Sequence, residues 1–179
     1  MKKALQAFSN AKLIMLFFAL LFVGKLMAQP FLKAHPHINP YQYEVVKEKS
    51  FDNGAVTSAH SLASMVGAAM MQEGGNAFDA AIATQLSLAV VFPGAGNIGG
   101  GGFMLARKVN GELIGIDYRE AAPASASRDM YLDEQGNPID GKSTRGASAS
   151  GIPGSIAGMI STHAYAKLPF AKLIQPAIE

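Results

Sequence analysis

The 179-residue chain has no cysteine. That excludes a disulfide frame, a thiol nucleophile, a thiolate metal site and lipoprotein attachment through cysteine. Other signatures are missing as well. The run Gly99-Gly100-Gly101-Gly102 is followed by no Gly-Lys-Ser/Thr, so it is not a Walker loop. It precedes a strand pattern instead of joining a strand to a helix, so it is not a dinucleotide fingerprint either. No internal repeat is visible. His35 and His37 have no second ligand cluster in the sequence and read as solvated loop histidines, not a metal pair. No cofactor or metal site is expected.

One long apolar stretch stands at the start. Lys2, Lys3 and Lys12 precede Leu13 to Val23, and Leu26-Met27-Ala28 ends on a small residue before Gln29. A basic head, a short apolar stretch and a small residue at the break describe a secretory signal peptide over 1–28. The stretch is short against the roughly 20 apolar residues of a membrane span. Lys25 and the leucine three residues before the break leave an uncleaved anchor as the other reading. The expectation is export, to the periplasm or beyond. Lys2, Lys3, Lys12 and Lys25 leave with the segment and no acidic residue does, so a formal charge of +2 becomes −2. No basic patch then remains to suggest nucleic acid. The apolar fraction of 49% is enough for a packed core.

Residues 29–53 read as a leader or linker, with Pro30, Pro36 and Pro40 and no sustained periodicity. The globular pattern fills 54–179. Ala55 to Ala59 suits a short buried strand. Leu62, Met65, Val66, Ala69 and Met70 mark one helical face, and Gly74-Gly75 caps it. Asn76 and Asp79 start a second helix, Ala77 to Val91, apolar almost all round and closed by Pro93. Phe103 to Val109 and Glu112 to Tyr118 form a hairpin pattern about Asn110-Gly111, which suits a type I′ turn. Residues 121 to 150 read as loop, with a turn at Asp133 to Pro138. A helix from Pro153 would bury Ile156, Met159, Ile160 and His163. A last amphipathic segment, Phe170, Leu173 and Ile174, would break at Pro176. The order implies an α/β or α+β layered fold.

Nucleophilic catalysis needs a nucleophile, a base and a stabiliser. Thr57, Thr84, Thr144 and Thr162 lack a flanking motif. Ser155 lies in a helical pattern rather than a strand-to-helix elbow. His60 and His163 read as packed or capping residues, and Asp79 as a helix-start residue. No catalytic residue is assigned within the chain. What remains is a binding half-site. The hairpin returns Arg119, with Glu120 beside it, to the glycine run. A guanidinium beside exposed backbone amides is a seat for a carboxylate. Spacing alone leaves a surface ion-pair role for Arg119 equally open.

The motifs and their order carry a resemblance. Ser58-Ala59-His60-Ser61-Leu62-Ala63-Ser64, Gly74-Gly75-Asn76-Ala77-Phe78-Asp79-Ala80-Ala81, Asn97-Ile98-Gly99-Gly100-Gly101-Gly102-Phe103-Met104 and Asp117-Tyr118-Arg119-Glu120-Ala121-Ala122-Pro123 resemble successive motifs of the γ-glutamyltranspeptidase (glutathione hydrolase) family. Gly151-Ile152-Pro153-Gly154, Leu168-Pro169-Phe170 and Pro176-Ala177-Ile178 are similar to its later landmarks. The likeness covers Ala55 to Glu179, the N-terminal part of the family's large subunit.

The resemblance implies part of an αββα sandwich of the N-terminal nucleophile hydrolase type. It implies a precursor that cuts itself into two subunits. The small subunit's new N-terminal threonine would attack γ-glutamyl amides such as glutathione, and water or amino-acid and peptide acceptors would resolve the acyl-enzyme. It also implies that Arg119 binds the substrate α-carboxylate. Ser61 stands where the family usually has proline, and Phe92-Pro93-Gly94-Ala95 replaces a commoner Glu-Pro turn. The Thr-Thr-His nucleophile motif is absent from these residues. The reading is therefore a truncated large-subunit piece, inactive alone. The other readings are an acylase or poly-γ-glutamate depolymerase of the same fold, or a non-catalytic exported binding protein.

Overall fold

The computed structural model describes residues 30–45, 48 and 50–179. The expected signal peptide lies outside them. Among the described residues, no helix is long and apolar enough to cross a membrane. The chain forms two compact units, one containing residues 30–37 and Glu179, the other Ile38–Ile178.

In the first unit, helix α1 (Pro30–Ala34) is a single turn. Its Phe31 and Leu32 N–H groups donate to the Glu179 carboxylate at 3.2 and 2.9 Å. His35 corrects the solvated reading: it is buried, its ring 4.6 Å from that of Phe31. His37 is exposed.

The second unit is built on two antiparallel helices, α2 (Ser61–Gln72) and α3 (Ala77–Val91). Both boundaries follow from local chemistry. The imidazole of His60 caps α2, its Nδ1 accepting from Leu62 N–H at 3.3 Å. Gly74, at φ +93°, ends the helix: Gly75 N–H donates to Met70 O and Gly74 N–H to Met71 O, the Schellman arrangement. Asn76 opens α3 at once. Its Oδ1 accepts from Phe78 and Asp79 N–H, while Asp79 Oδ2 accepts from Asn76 N–H at 2.7 Å, a reciprocal capping box. Small residues let α2 and α3 close together: Ala63, Ala69, Ala80 and Ala83 are all buried. At Gly67 a Cβ would overlap Thr84 Oγ1.

Helix α3 also packs against α4 (Pro93–Gly96), α5 (Ser155–His163) and α6 (Phe170–Ile178). Strands β1 (Phe103–Arg107) and β2 (Leu113–Asp117) form an antiparallel hairpin, Phe103 opposite Asp117 and Arg107 opposite Leu113. Ile114 is buried on the face toward α5, and Phe103, Leu105 and Leu113 stand exposed on the other.

Four local expectations change. Ala55 to Ala59 takes no regular secondary structure and joins no strand among the described residues, because no neighbour supplies the backbone partners a ladder needs. The hairpin turn is not a two-residue type I′. Gly111 N–H donates to Lys108 O, Lys108 N–H donates to Glu112 O, and Gly111 takes φ +87°. That is a three-residue loop with glycine in the left-handed position.

Helix α5 begins at Ser155, two residues past Pro153, and turns Ser155, Gly158, Met159 and Thr162 inward. Ile156 and Ile160 are 40% and 60% exposed, so the apolar spacing misplaced the buried face. Helix α6 passes through Pro176 to Ile178. The proline removes one backbone donor, the N–H that would reach Lys172 O, without ending the helix.

Candidate functional site

The glycine run, Arg119 and Glu120 come together where the hairpin closes. One further rung extends the ladder: Tyr118 N–H donates to Gly102 O at 3.0 Å, and Gly102 N–H to Tyr118 O at 3.4 Å. None of Gly99 to Gly102 has a positive φ. Close approach therefore accounts for the run. A Cβ on Gly101 would lie 2.6 Å from Tyr118 O and 2.8 Å from Arg119 Cα, nearer than real side chains come. A Cβ on Gly102 would lie 3.0 Å from the Tyr118 ring, and one on Gly100 would lie 3.3 Å from Glu120 Oε1.

The other side of the Tyr118–Ala121 segment is held by three glycines, Gly151, Gly154 and Gly158, whose place in the site sequence reasoning did not read. Ala121 and Ile152 exchange two backbone hydrogen bonds of 3.1 and 2.8 Å. Beside that bridge, a Cβ on Gly151 would lie 2.9 Å from Glu120 Cβ, one on Gly154 would overlap Tyr118 O, and one on Gly158 would overlap the Tyr118 ring. The signal was the spacing Gly151-x-x-Gly154-x-x-x-Gly158, which leaves one side of an incipient helix without side chains. Gly100 also ties the two sides: its carbonyl accepts from Gly154 and Ser155 N–H at 2.9 and 3.0 Å. Those are free donors of the first turn of α5, which has no side-chain cap.

Tyr118 is the keystone. Its ring is half-buried, its hydroxyl donates to Phe103 O at 3.3 Å, and burial raises its pKa above the ordinary phenol value. Arg119 and Glu120, next in sequence, are exposed. The surface-pair reading for Arg119 finds no partner among the described residues. Asp117 Oδ1 accepts from the Arg119 backbone N–H at 3.0 Å, and the guanidinium carbon lies 5.9 Å from the Phe103 ring centroid. Of the four glycine amides, Gly99 donates to Asn97 Oδ1 and Gly102 to Tyr118 O. Gly100 and Gly101 N–H have no partner among the described residues. A cationic fork and two free amides on a stiffened backbone can receive an anionic group.

The other candidates are structural. His60 caps α2, and its Nε2 meets Tyr43 Oη at 3.1 Å. His163 Nε2 donates to Leu168 O at 2.8 Å, and its ring stands edge-on to Phe170. Ser155 is buried at the start of α5. No group of three or more His, Asp or Glu side chains able to hold a metal is present among the described residues.

The family model for gamma-glutamyltranspeptidase matches residues 63–179, and the chain belongs to that family. Over 127 residues it is 50% identical to the glutathione hydrolase proenzyme of Escherichia coli K12, covering 70% of this chain and 22% of that protein. The structure is similar to the γ-glutamyltranspeptidase of Helicobacter pylori, with a TM-score of 0.70 and 46% identity over 73% of this chain and 38% of that one. It is also similar to the Pseudomonas nitroreducens enzyme, with a TM-score of 0.67 and 45% identity over 72% and 38%. The α/β fold is thus that of the N-terminal nucleophile hydrolases, and the family is one of enzymes. The chain spans about a fifth of the length of the curated relatives it matches.

Proposed function

We propose that this chain is the N-terminal part of the large subunit of an exported γ-glutamyltransferase/glutathione hydrolase, and that it supplies the seat for the substrate α-carboxylate. The observation that carries the reading is Arg119: its side chain is exposed and without an ion pair among the described residues, while its backbone is held close between Gly101 and Gly154. Glu120 lines the same seat at its Gly100 edge. The nucleophilic threonine and the rest of the pocket would come from the small subunit, formed by self-cleavage of the precursor. The substrates would be γ-glutamyl amides such as glutathione, and water or amino-acid and peptide acceptors would receive the γ-glutamyl group. The chemistry requires a hydroxyl whose own α-amine serves as base, and no such group is assigned within 1–179.

Two outcomes test this. The complete, self-cleaved protein should release aniline from a γ-glutamyl anilide, whereas residues 30–179 alone should give no turnover. Turnover by the isolated segment, with contaminating enzyme excluded, would point to an unrecognised nucleophile in it. Export is tested separately. The mature protein should begin near Gln29, as read by N-terminal sequencing or intact mass, and Met1 retained in a membrane fraction would favour an uncleaved anchor.

A further inference from the structure

Tyr118 sits between the two walls of the site, and both walls omit side chains to admit it. A Cβ on Gly158 of α5 would overlap its ring, and one on Gly102 would lie 3.0 Å from that ring. Its backbone is gripped as well. Tyr118 N–H and O pair with Gly102, while Gly101 and Gly154 have no room for a Cβ beside Tyr118 O. Arg119 follows directly. Beyond its backbone N–H, bonded to Asp117 Oδ1, its head meets only the Phe103 ring, at 5.9 Å, among the described residues. The guanidinium therefore inherits its position from the residue before it.

We propose that Tyr118, keyed into the notch between Gly102 and Gly158, is a positioning residue that aims Arg119 at the substrate α-carboxylate. The proposal rests on the carboxylate-seat reading of Arg119. Packing is the operative contact. The hydroxyl bond to Phe103 O is long at 3.3 Å and expendable. A side chain that leaves the notch part empty frees the backbone at 118 and lets the fork of Arg119 drift. A displacement of about 1 Å in a positioning group can cost roughly a hundredfold.

The test uses the complete, self-cleaved enzyme and two competing ligands. L-Glutamate carries the α-carboxylate; 4-aminobutanoate keeps the amine and lacks it. Tyr118→Leu should weaken inhibition by L-glutamate roughly tenfold to a hundredfold and leave that by 4-aminobutanoate unchanged. Tyr118→Phe, which refills the notch, should restore the wild-type constants for both. In an Arg119→Ala background Tyr118→Leu should add less than about twofold, because it acts through a group already removed.

Gly158→Ala presses the same ring from α5 and should reproduce the selective loss, so the proposal remains testable if Tyr118→Leu does not mature. Equal weakening of both ligands, or penalties that multiply in the double variant, would assign Tyr118 a merely structural role while leaving the Arg119 reading intact. Failure of Arg119→Ala to distinguish the two ligands would instead remove the carboxylate seat, and this proposal with it.

Discussion

Arg119→Ala in the complete, self-cleaved protein should lower kcat/KM for γ-glutamyl substrates by one to two orders of magnitude for each hydrogen bond lost. A hydrogen bond to a charged group contributes about 1.5–3 kcal/mol, and each 1.4 kcal/mol is about tenfold. A guanidinium can make two such bonds in parallel to one carboxylate. Arg119→Lys keeps the charge and loses the planar fork, so it should fall between wild type and alanine. The loss should be confined to substrates that carry the α-carboxylate. Self-cleavage into subunits should proceed in both variants, because it involves no free substrate carboxylate. An exposed ion-pair role would be worth at most about 1 kcal/mol, or roughly fivefold. Steady-state kinetics on a γ-glutamyl anilide and on its analogue without the α-carboxylate decide the matter. Equal slowing of both, or of neither, would withdraw Arg119 from the seat.

Much of what positions Arg119 was legible in the sequence, for reasons that are local. Asn76 and Asp79 encode their own helix start, and Gly74-Gly75 encodes the preceding stop; both bonding patterns close within six residues. The hairpin reads from Asn110-Gly111 and the apolar runs on either side, and it brings Arg119 to the glycine run. The turn type escaped because Gly111 alone needs the left-handed region, which three-residue and two-residue loops both supply.

The features that failed depend on partners distant in sequence. Ile156 and Ile160 have helical spacing, yet the inward face of α5 carries Ser155, Gly158, Met159 and Thr162, because the Tyr118 ring leaves no room for a side chain at Gly158. Ala55 to Ala59 has strand composition, but a strand requires a neighbour that composition cannot specify. The role of Asp79 was half visible. Its capping bond to Asn76 is local, whereas its other partners lie 88 and 89 residues away.

Those distant partners make Asp79 the residue whose loss should most reduce stability. Its side chain is wholly buried. Oδ2 accepts from Asn76 N–H at 2.7 Å, and the carboxylate also accepts from Lys167 N–H at 3.0 and 3.2 Å and from Leu168 N–H at 2.8 Å. No cationic side chain pairs with it among the described residues. Backbone donors and the N-terminal end of α3 offset its charge. One residue thus fastens the start of α3 to the turn that leads from α5 into α6.

Asp79→Ala would leave three backbone N–H groups without an acceptor. An unsatisfied buried donor costs about 1–3 kcal/mol, so a total of about 3–5 kcal/mol is expected after water reaches the more exposed of them. Asp79→Asn keeps one acceptor oxygen but turns an amide N–H₂ toward the remaining donors, and should recover less than half of that. The variant's Tm should fall, and proteolysis should begin in the 164–168 turn. At low temperature kcat and KM should match the wild type, since Asp79 lies at the opposite end of α3 from the residues that lead into the glycine run. An unchanged Tm with an intact 164–168 turn would mean that the buried bonds contribute no net stability. A low-temperature loss of kcat with Tm unchanged would place Asp79 in the chemistry instead.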